Sequence, residues 1–385
     1  MSAPQLIRGA RVRSWLPKLL ASLLISAGLV WMFRSGGLPL VPAPEQLEST
    51  SIPAVAAYVV LQALATFFRT YRWNHLLAAF AKVSDPLRVL GIGFIGYTAI
   101  LFAPLRLGEA MRPWLLAQDG EVGFVQAAGT ISAERIIDGV TLAGVLLVGM
   151  LLSTQVSPLP DHVGKLAIPV GAIPTAATLT CAVFIVGFLA MVLFHRHRQL
   201  ARQLSELTLA WLSRDLAEWV GLMTERLAEG LKFLSSGRAT GRFLRDTCIY
   251  WGCGTFSTWT LLRGVGIDAT LAEACVVIGV TGLGTLLPSG PGFFGTYQLG
   301  TYAALAMFYP EEVVLTRGAL FAFWSYALVL TVSLASCLTG VLLVRARPVG
   351  ARSHDPAPHD PAPHDTAGDL AQANDPGKHR GTSRR

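Results

Sequence analysis

Charge is what this sequence has least of. Only 14% of its 385 residues are Asp, Glu, Lys or Arg, against roughly 25% in an ordinary soluble domain. That deficit argues against a chain whose surface faces water throughout. Cysteine chemistry is missing as well: Cys181, Cys248, Cys253, Cys275 and Cys337 stand singly within apolar runs, with no C-x-x-C pair. They read as packing residues rather than a metal or redox site. A G-x-x-x-x-G-K-[ST] phosphate loop is absent, so no ATP-driven step and no cofactor are expected, and any transport would be passive, ion-coupled or driven by a partner. The net charge of +7 comes without aromatic-basic interleaving. Its basic residues collect at the ends of apolar runs, the positive-inside pattern, and no nucleic-acid partner is expected.

What is present is hydrophobic sequence, 52% of residues, in continuous runs rather than strand-like alternation. Several reach the ~20 residues that cross a bilayer. The fold class expected is all-α, a polytopic transmembrane helix bundle with spans at 17–34, 52–68, 123–152, 167–194, 244–265 and 316–344. Two further apolar segments, 87–103 and 271–288, are broken by Pro and Gly and followed by second stretches, 105–117 and 292–309.

Basic flanks set the orientation. Arg8, Arg11, Arg13 and Lys18 precede the first run, which reads as an uncleaved helix with a cytoplasmic N-terminus rather than a signal peptide. Arg69, Arg72, Lys82 and Arg88 place the end of the second span inside. Arg196, His197 and Arg198, and later Arg345 and Arg347, do the same for the ends of 167–194 and 316–344. The loops 35–51 and 153–166, poor in Lys and Arg, face outward. Region 86–121 must then begin and end inside, and 269–315 must begin and end outside. Each is a hairpin of two full spans or a re-entrant pair of half-helices. Re-entry is favoured, which makes two broken hairpins of inverted orientation, the pattern of inverted-repeat transporters.

Residues 1–345 are expected to form the membrane domain of a plasma (inner) membrane protein. Within it, Leu200, Leu204, Leu207, Trp211, Trp219, Met223 and Leu227 recur at helical spacing, so cytoplasmic amphipathic helices are expected over about 197–240. The segment 346–385 repeats His-Asp-Pro-Ala-Pro at His354 and His359 and reads as a disordered cytoplasmic tail.

Three constellations carry whatever chemistry there is. Arg106, Glu109 and Arg112 are spaced three apart after Pro104, with Gly108 between them permitting close backbone approach. Two guanidinium forks against one carboxylate suit an anionic phosphate. Glu134, Arg135 and Asp138 lie near one helical face. Arg135 can pair with Asp138 while Glu134 turns toward Arg106 or Arg112. In Pro288-Ser-Gly-Pro291-Gly292-Phe-Phe-Gly295-Thr-Tyr-Gln298, the prolines and glycines stop one helix and start another, whose positive N-terminus suits an anionic headgroup. The competing reading puts both charge clusters at the cytoplasmic interface as helix anchors. Tyr71-Arg72-Trp73 reads as an interfacial anchor of that kind.

Taken in order, Tyr71-Arg72-Trp73, Pro104-x-Arg106-x-Gly108-Glu109-x-x-Arg112, Glu134-Arg135-x-x-Asp138 and Pro288-x-x-Pro291-Gly292-x-x-Gly295 resemble the lysylphosphatidylglycerol synthase transmembrane region family, also described as flippase-like. The resemblance runs over most of 15–345. It implies a bundle with re-entrant segments that moves lipids or lipid-linked headgroups between leaflets. Membrane lipids are then the partners, together with a separate headgroup-modifying or glycosyl-transferring enzyme. On this reading the headgroup contacts are Arg106, Glu109, Arg112, Glu134, Arg135, Asp138, Pro288, Pro291, Gly292, Gly295 and Gln298. The best-known members carry a C-terminal soluble domain that attaches an amino acid to phosphatidylglycerol. Only the low-complexity segment comes after Val344 here, so aminoacyl transfer by this polypeptide is not expected. Gln298 stands where members often carry Glu. The alternative kept open is a membrane-embedded transferase, or its partner subunit, acting on a lipid headgroup or lipid-linked sugar.

Overall fold

The computed structural model describes residues 20, 23–81, 85–103, 108–197, 229–287 and 289–348. Helices dominate them: α1 (Leu23–Ser35), then α2 (Ile52–Tyr71), α3 (Trp73–Leu77), α4 (Pro86–Phe102), α5 (Met111–Gln118), α6 (Phe124–Leu152) and α7 (Ile173–Arg196). The second half adds α8 (Gly237–Gly264), α9 (Leu271–Gly284), α10 (Thr296–Leu305) and α11 (Arg317–Ala346). Among the described residues, the sheet content is one antiparallel hairpin, His162–Val163 against Leu166–Ala167.

Among the described residues, four helical stretches are long and apolar enough to cross a membrane: Ile52–Leu77, Phe124–Leu152, Val170–Arg196 and Glu311–Ala346. The span expected at 244–265 is helical, within the 28-residue α8. Its threonines, including buried Thr247, Thr255 and Thr258, leave it too polar to qualify by composition. On α7 the side chains of Leu179, Val183, Val186, Leu189 and Leu193 are exposed, as are Leu334, Leu338 and Leu342 on α11. Apolar stripes of that extent are not stable against water and mark surfaces that face lipid. The chain is a multi-pass membrane protein.

The two broken segments occupy equivalent places. α4 packs on α11 and leads into α5, which packs on α6. Correspondingly, α9 packs on α6 and leads into α10, which packs on α11. α2 lies along α8. Each broken pair therefore bridges the long helix of its own half and that of the other. Without a hydrophobic force between helices in lipid, such contacts depend on small residues that let backbones meet. At the α4–α11 crossing, a Cβ on Gly340 would lie 2.6 Å from the Gly91 carbonyl oxygen.

One end of the bundle is tied by exposed and half-buried charges. Asp85 caps α4, accepting from the Leu87 and Arg88 amides at 2.9 and 3.3 Å. Arg88 makes two 2.7 Å bonds to Asp119 just after α5 and donates to the carbonyl oxygens of Val344 and Arg347 at the end of α11. A cation there also suits the negative end of the helix dipole. Arg69 and Arg72, read from sequence as flanking charges with Arg88, do not join this rim. They turn into the bundle.

The amphipathic helices expected over 197–240 lie outside the described residues from 198 to 228. The rest of that stretch holds a 3-10 turn, Lys232–Ser235, and the start of α8. The tail from 349 onward also lies outside them.

Replacing Gly340 by Leu should destabilise the bundle by about 1–3 kcal/mol through overpacking. Thermal unfolding in detergent checks this, with the lipid-facing Leu338→Ala expected to leave the midpoint nearly unchanged.

Candidate functional site

Glu134, on α6, is the centre of a buried ion network. Arg112 grips it with both ends of its fork, Nη1 to Oε1 at 3.2 Å and Nη2 to Oε2 at 2.9 Å. Arg72 Nη2 lies 3.4 Å from Oε1, and the Tyr97 hydroxyl donates to the same oxygen. Arg72 also donates from Nη2 to Asp138 Oδ2 at 2.7 Å, from Nη1 to Thr247 Oγ1 at 2.9 Å, and from Nε to the Arg69 carbonyl at 3.2 Å. Arg72, Arg112 and Glu134 are each 0% exposed, so all three side chains are enclosed by protein. Burying such charges costs several kcal/mol per ion unless geometry and hydrogen bonds are nearly complete.

Local backbone features make the network reachable. A Cβ at Gly108 would sit 2.2 Å from the Ala99 carbonyl, so the 3-10 turn 108–110 folds directly against α4. From there α5 points Arg112 back into the bundle. A Cβ on Gly96 would lie 2.0 Å from Arg112 Cγ, and the missing side chain is the channel through which Arg112 passes. Its guanidinium then stacks over Trp73 at 4.4 Å and Tyr97 at 4.5 Å. Trp73 is fixed in turn by its indole N–H, which donates to Thr130 Oγ1 at 2.9 Å.

Beside this network lies a cavity of about 520 Å³. The first half contributes Arg69, Tyr97, Glu109, Arg135 and Asp138 to its wall, and the second half Tyr250, Trp251, Gly292, Phe293 and Tyr297. At the break, Gly292 and Gly295 have φ of 76° and 87°, and Phe293 shares the left-handed region at 56°. Such a conformation costs a bulky residue about 1–2 kcal/mol. It brings Phe293 to the cavity wall, while Phe294 packs near the Tyr326 ring, 6.0 Å away.

The structure distributes the residues singled out from sequence over two layers. Glu109, Arg135, Asp138 and Gly292 line the cavity. Arg112 and Glu134 are behind its wall. Pro291, Gly295 and Gln298 are not among its described lining residues; the Gln298 amide oxygen accepts from the Gly295 N–H at 2.7 Å and caps α10. Arg106 and Pro288 lie outside the described residues. The local Arg135–Asp138 pair is not formed. Arg72, arriving from another helix, takes Asp138 Oδ2, and Arg135 Nη2 lies 3.6 Å from Glu134 Oε1.

Sequence reasoning missed Arg69 and undervalued Arg72 and Trp73. Arg72 and Trp73, read from sequence as part of an interfacial anchor, are fully buried within the protein. A signal existed: two arginines three apart, on one helical face, at the end of an apolar run. Tyr97, Tyr250 and Trp251 gave none, because an aromatic residue in an apolar run reads as ordinary core.

Removing the central carboxylate leaves two buried guanidinium groups short of a counter-charge. Glu134→Ala should cost about 3–5 kcal/mol, and Gly96→Ala should also lower the unfolding midpoint by displacing Arg112. Arg135→Gln, at a side chain 24% exposed, should change stability by less than about 1 kcal/mol. Unfolding curves of the three variants in one detergent give the comparison.

Comparison with known proteins extends these observations. The chain is 24% identical over 279 residues to the glycosyltransferase AglD of Haloferax volcanii, a match covering 66% of this chain and 43% of that protein. The chain thus spans less than half the length of this curated relative. No solved structure matches it. The model of the lysylphosphatidylglycerol synthase TM region matches residues 19–333, and with it the motif order, the broken helices and the buried arginine network find their place: the chain belongs to that family.

Proposed function

We propose that this protein translocates a lipid or lipid-linked anionic headgroup between membrane leaflets. The observation that carries the reading is the cavity of about 520 Å³, placed between a cationic cluster of the first half and the glycine-rich break of the second. Arg69 and Arg135 in the wall, with Arg72 and Arg112 behind it, outnumber Glu109, Asp138 and Glu134 by one, a balance that attracts phosphate, and irregular backbone at membrane depth is tolerated where it lines a wet space. Arg135 and Glu109 meet the headgroup directly, while Glu134 and Arg112 hold the wall in shape. Arg106, three residues before Glu109, is kept as a headgroup residue on this proposal, as are Pro288 and Pro291 of the sequence motif.

The equivalent packing of the two broken segments supports alternating exposure of the cavity by relative motion of the two halves. On this reading α4–α5 and α9–α10 are re-entrant and inverted, alongside six full spans. The site is in the plasma membrane with both termini cytoplasmic, an orientation that rests on Arg88, Arg196, Arg345 and Arg347. A separate enzyme that modifies the headgroup or transfers a sugar would supply the substrate. The second reading, a membrane-embedded transferase or its partner subunit, is favoured by one observation, the likeness to a protein named a glycosyltransferase.

Fluorescent anionic lipids in reconstituted vesicles test the first reading. Arg135→Gln, which spares the fold, should slow translocation by roughly tenfold or more. A wild-type protein that leaves the rate at the vesicle background, or a variant as fast as wild type, overturns it. Lipid extracts from a deletion strain separate the two readings, since a lipid that is present but wrongly sided fits a translocase and a missing lipid fits a transferase.

A further inference from the structure

Four cavity-lining residues carry buried polar atoms without a hydrogen-bond partner: Arg69 Nε, Arg135 Nε and Nη2, Asp138 Oδ1 and Trp251 Nε1, although Arg135 Nη2 also lies within ion-pair range of Glu134. Leaving such atoms unsatisfied costs about 1–3 kcal/mol each, more for charged groups. Their concentration around one cavity marks a place where a polar ligand completes the bonding.

The donors converge. The Arg69 guanidinium lies 4.2 Å from the Tyr97 ring centre and 5.5 Å from that of Tyr250. Arg135 faces the same Tyr97 ring at 5.6 Å. Two forks held against one aromatic ring, with three nitrogens between them that make no hydrogen bond, form a cradle for phosphate oxygens.

Asp138 and Trp251 say something different. Asp138 Oδ2 is taken by Arg72 at 2.7 Å, so the carboxylate is already charge-compensated and Oδ1 remains as an acceptor. The Trp251 indole can only donate. A group that satisfies both must accept and donate, which a hydroxyl does and an ammonium does not. The surrounding field points the same way: Arg69, Arg72, Arg112 and Arg135 outnumber Glu109, Glu134 and Asp138, which repels a second cation.

We propose that the cavity selects a phosphoester whose remaining part is neutral and hydroxylated, a sugar or polyol. Arg69 and Arg135 hold the phosphate, and Asp138 and Trp251 the hydroxyl groups. The inference rests on the reading of this cavity as a headgroup site and names the class of headgroup. It disfavours cationic aminoacyl headgroups, which carry an ammonium into surroundings where arginines outnumber carboxylates.

Native mass spectrometry of the full-length protein from phosphatidylcholine nanodiscs tests the selection with four probes. These are phosphatidylglycerol, a polyprenyl phosphate-linked hexose, lysylphosphatidylglycerol and free hexose 1-phosphate. The two hydroxylated lipids should bind roughly tenfold or more tightly than the lysyl lipid. Arg69→Gln should weaken both, and Trp251→Phe should shrink the preference to less than about threefold while leaving the folded protein intact. Asp138→Asn is the weaker probe, because Asp138 also anchors Arg72.

Equal or tighter binding of the lysyl lipid, or a preference unchanged in Trp251→Phe, overturns the selection and leaves the translocase reading standing. Absence of binding by every lipid overturns both. Hexose 1-phosphate binding as tightly as the lipid-linked hexose supports the hydroxylated phosphoester and overturns the lipid source.

Discussion

Everything in this bundle is arranged around one buried carboxylate. Glu134 is held by Arg112 from α5, approached by Arg72 at the α2–α3 junction, and bonded by Tyr97 from α4. Through Arg72 the same network reaches Thr247 on α8. The α2–α3 junction, α4 and α5 therefore meet α6 at one group, with α8 joined to it through Arg72, and that group cannot be moved without exposing charge to an apolar interior. In a medium that supplies no water to an unpaired ion, this is a stronger constraint on helix placement than the packing of aliphatic side chains.

The cavity is a consequence of that constraint. With Arg112 and Arg72 committed to Glu134 and Asp138, the remaining arginines, Arg69 and Arg135, line the cavity and keep buried nitrogens without hydrogen-bond partners. The glycine-rich break meets them from the second half, bringing Gly292, Phe293 and Tyr297 to the same space. One layer of charge holds the architecture and the next is available to a ligand. On the proposed function, that division lets a headgroup bind and leave without dissolving the bundle.

Much of this was legible in the residues, and the limits are instructive. The helical class, the apolar segments broken by Pro and Gly, and the possibility that Glu134 of one charge cluster turns toward Arg112 of another came from hydropathy and spacing. The partner choice did not. Arg135 and Asp138 have the right spacing to pair, yet Arg72 comes from a different helix and takes Asp138. Spacing along one helix says which pairs are possible; it carries no information about a competitor arriving from elsewhere. Gln298 misleads similarly. Its position in a motif points to a ligand contact, but its amide caps the helix it begins.

The sequence by itself determined that this chain lives in lipid, that it is helical, that its helices break at two places and that a group of its few charges follows the first break. Those properties depend on local composition, and the bilayer leaves an apolar chain few alternatives. The tertiary structure alone decided which charges are spent on one another and which face the cavity. That depends on the directions from which side chains arrive, as when Gly96 opens the path for Arg112 and Arg72 crosses from α2 to α6. Such directions are set only once the helices are packed.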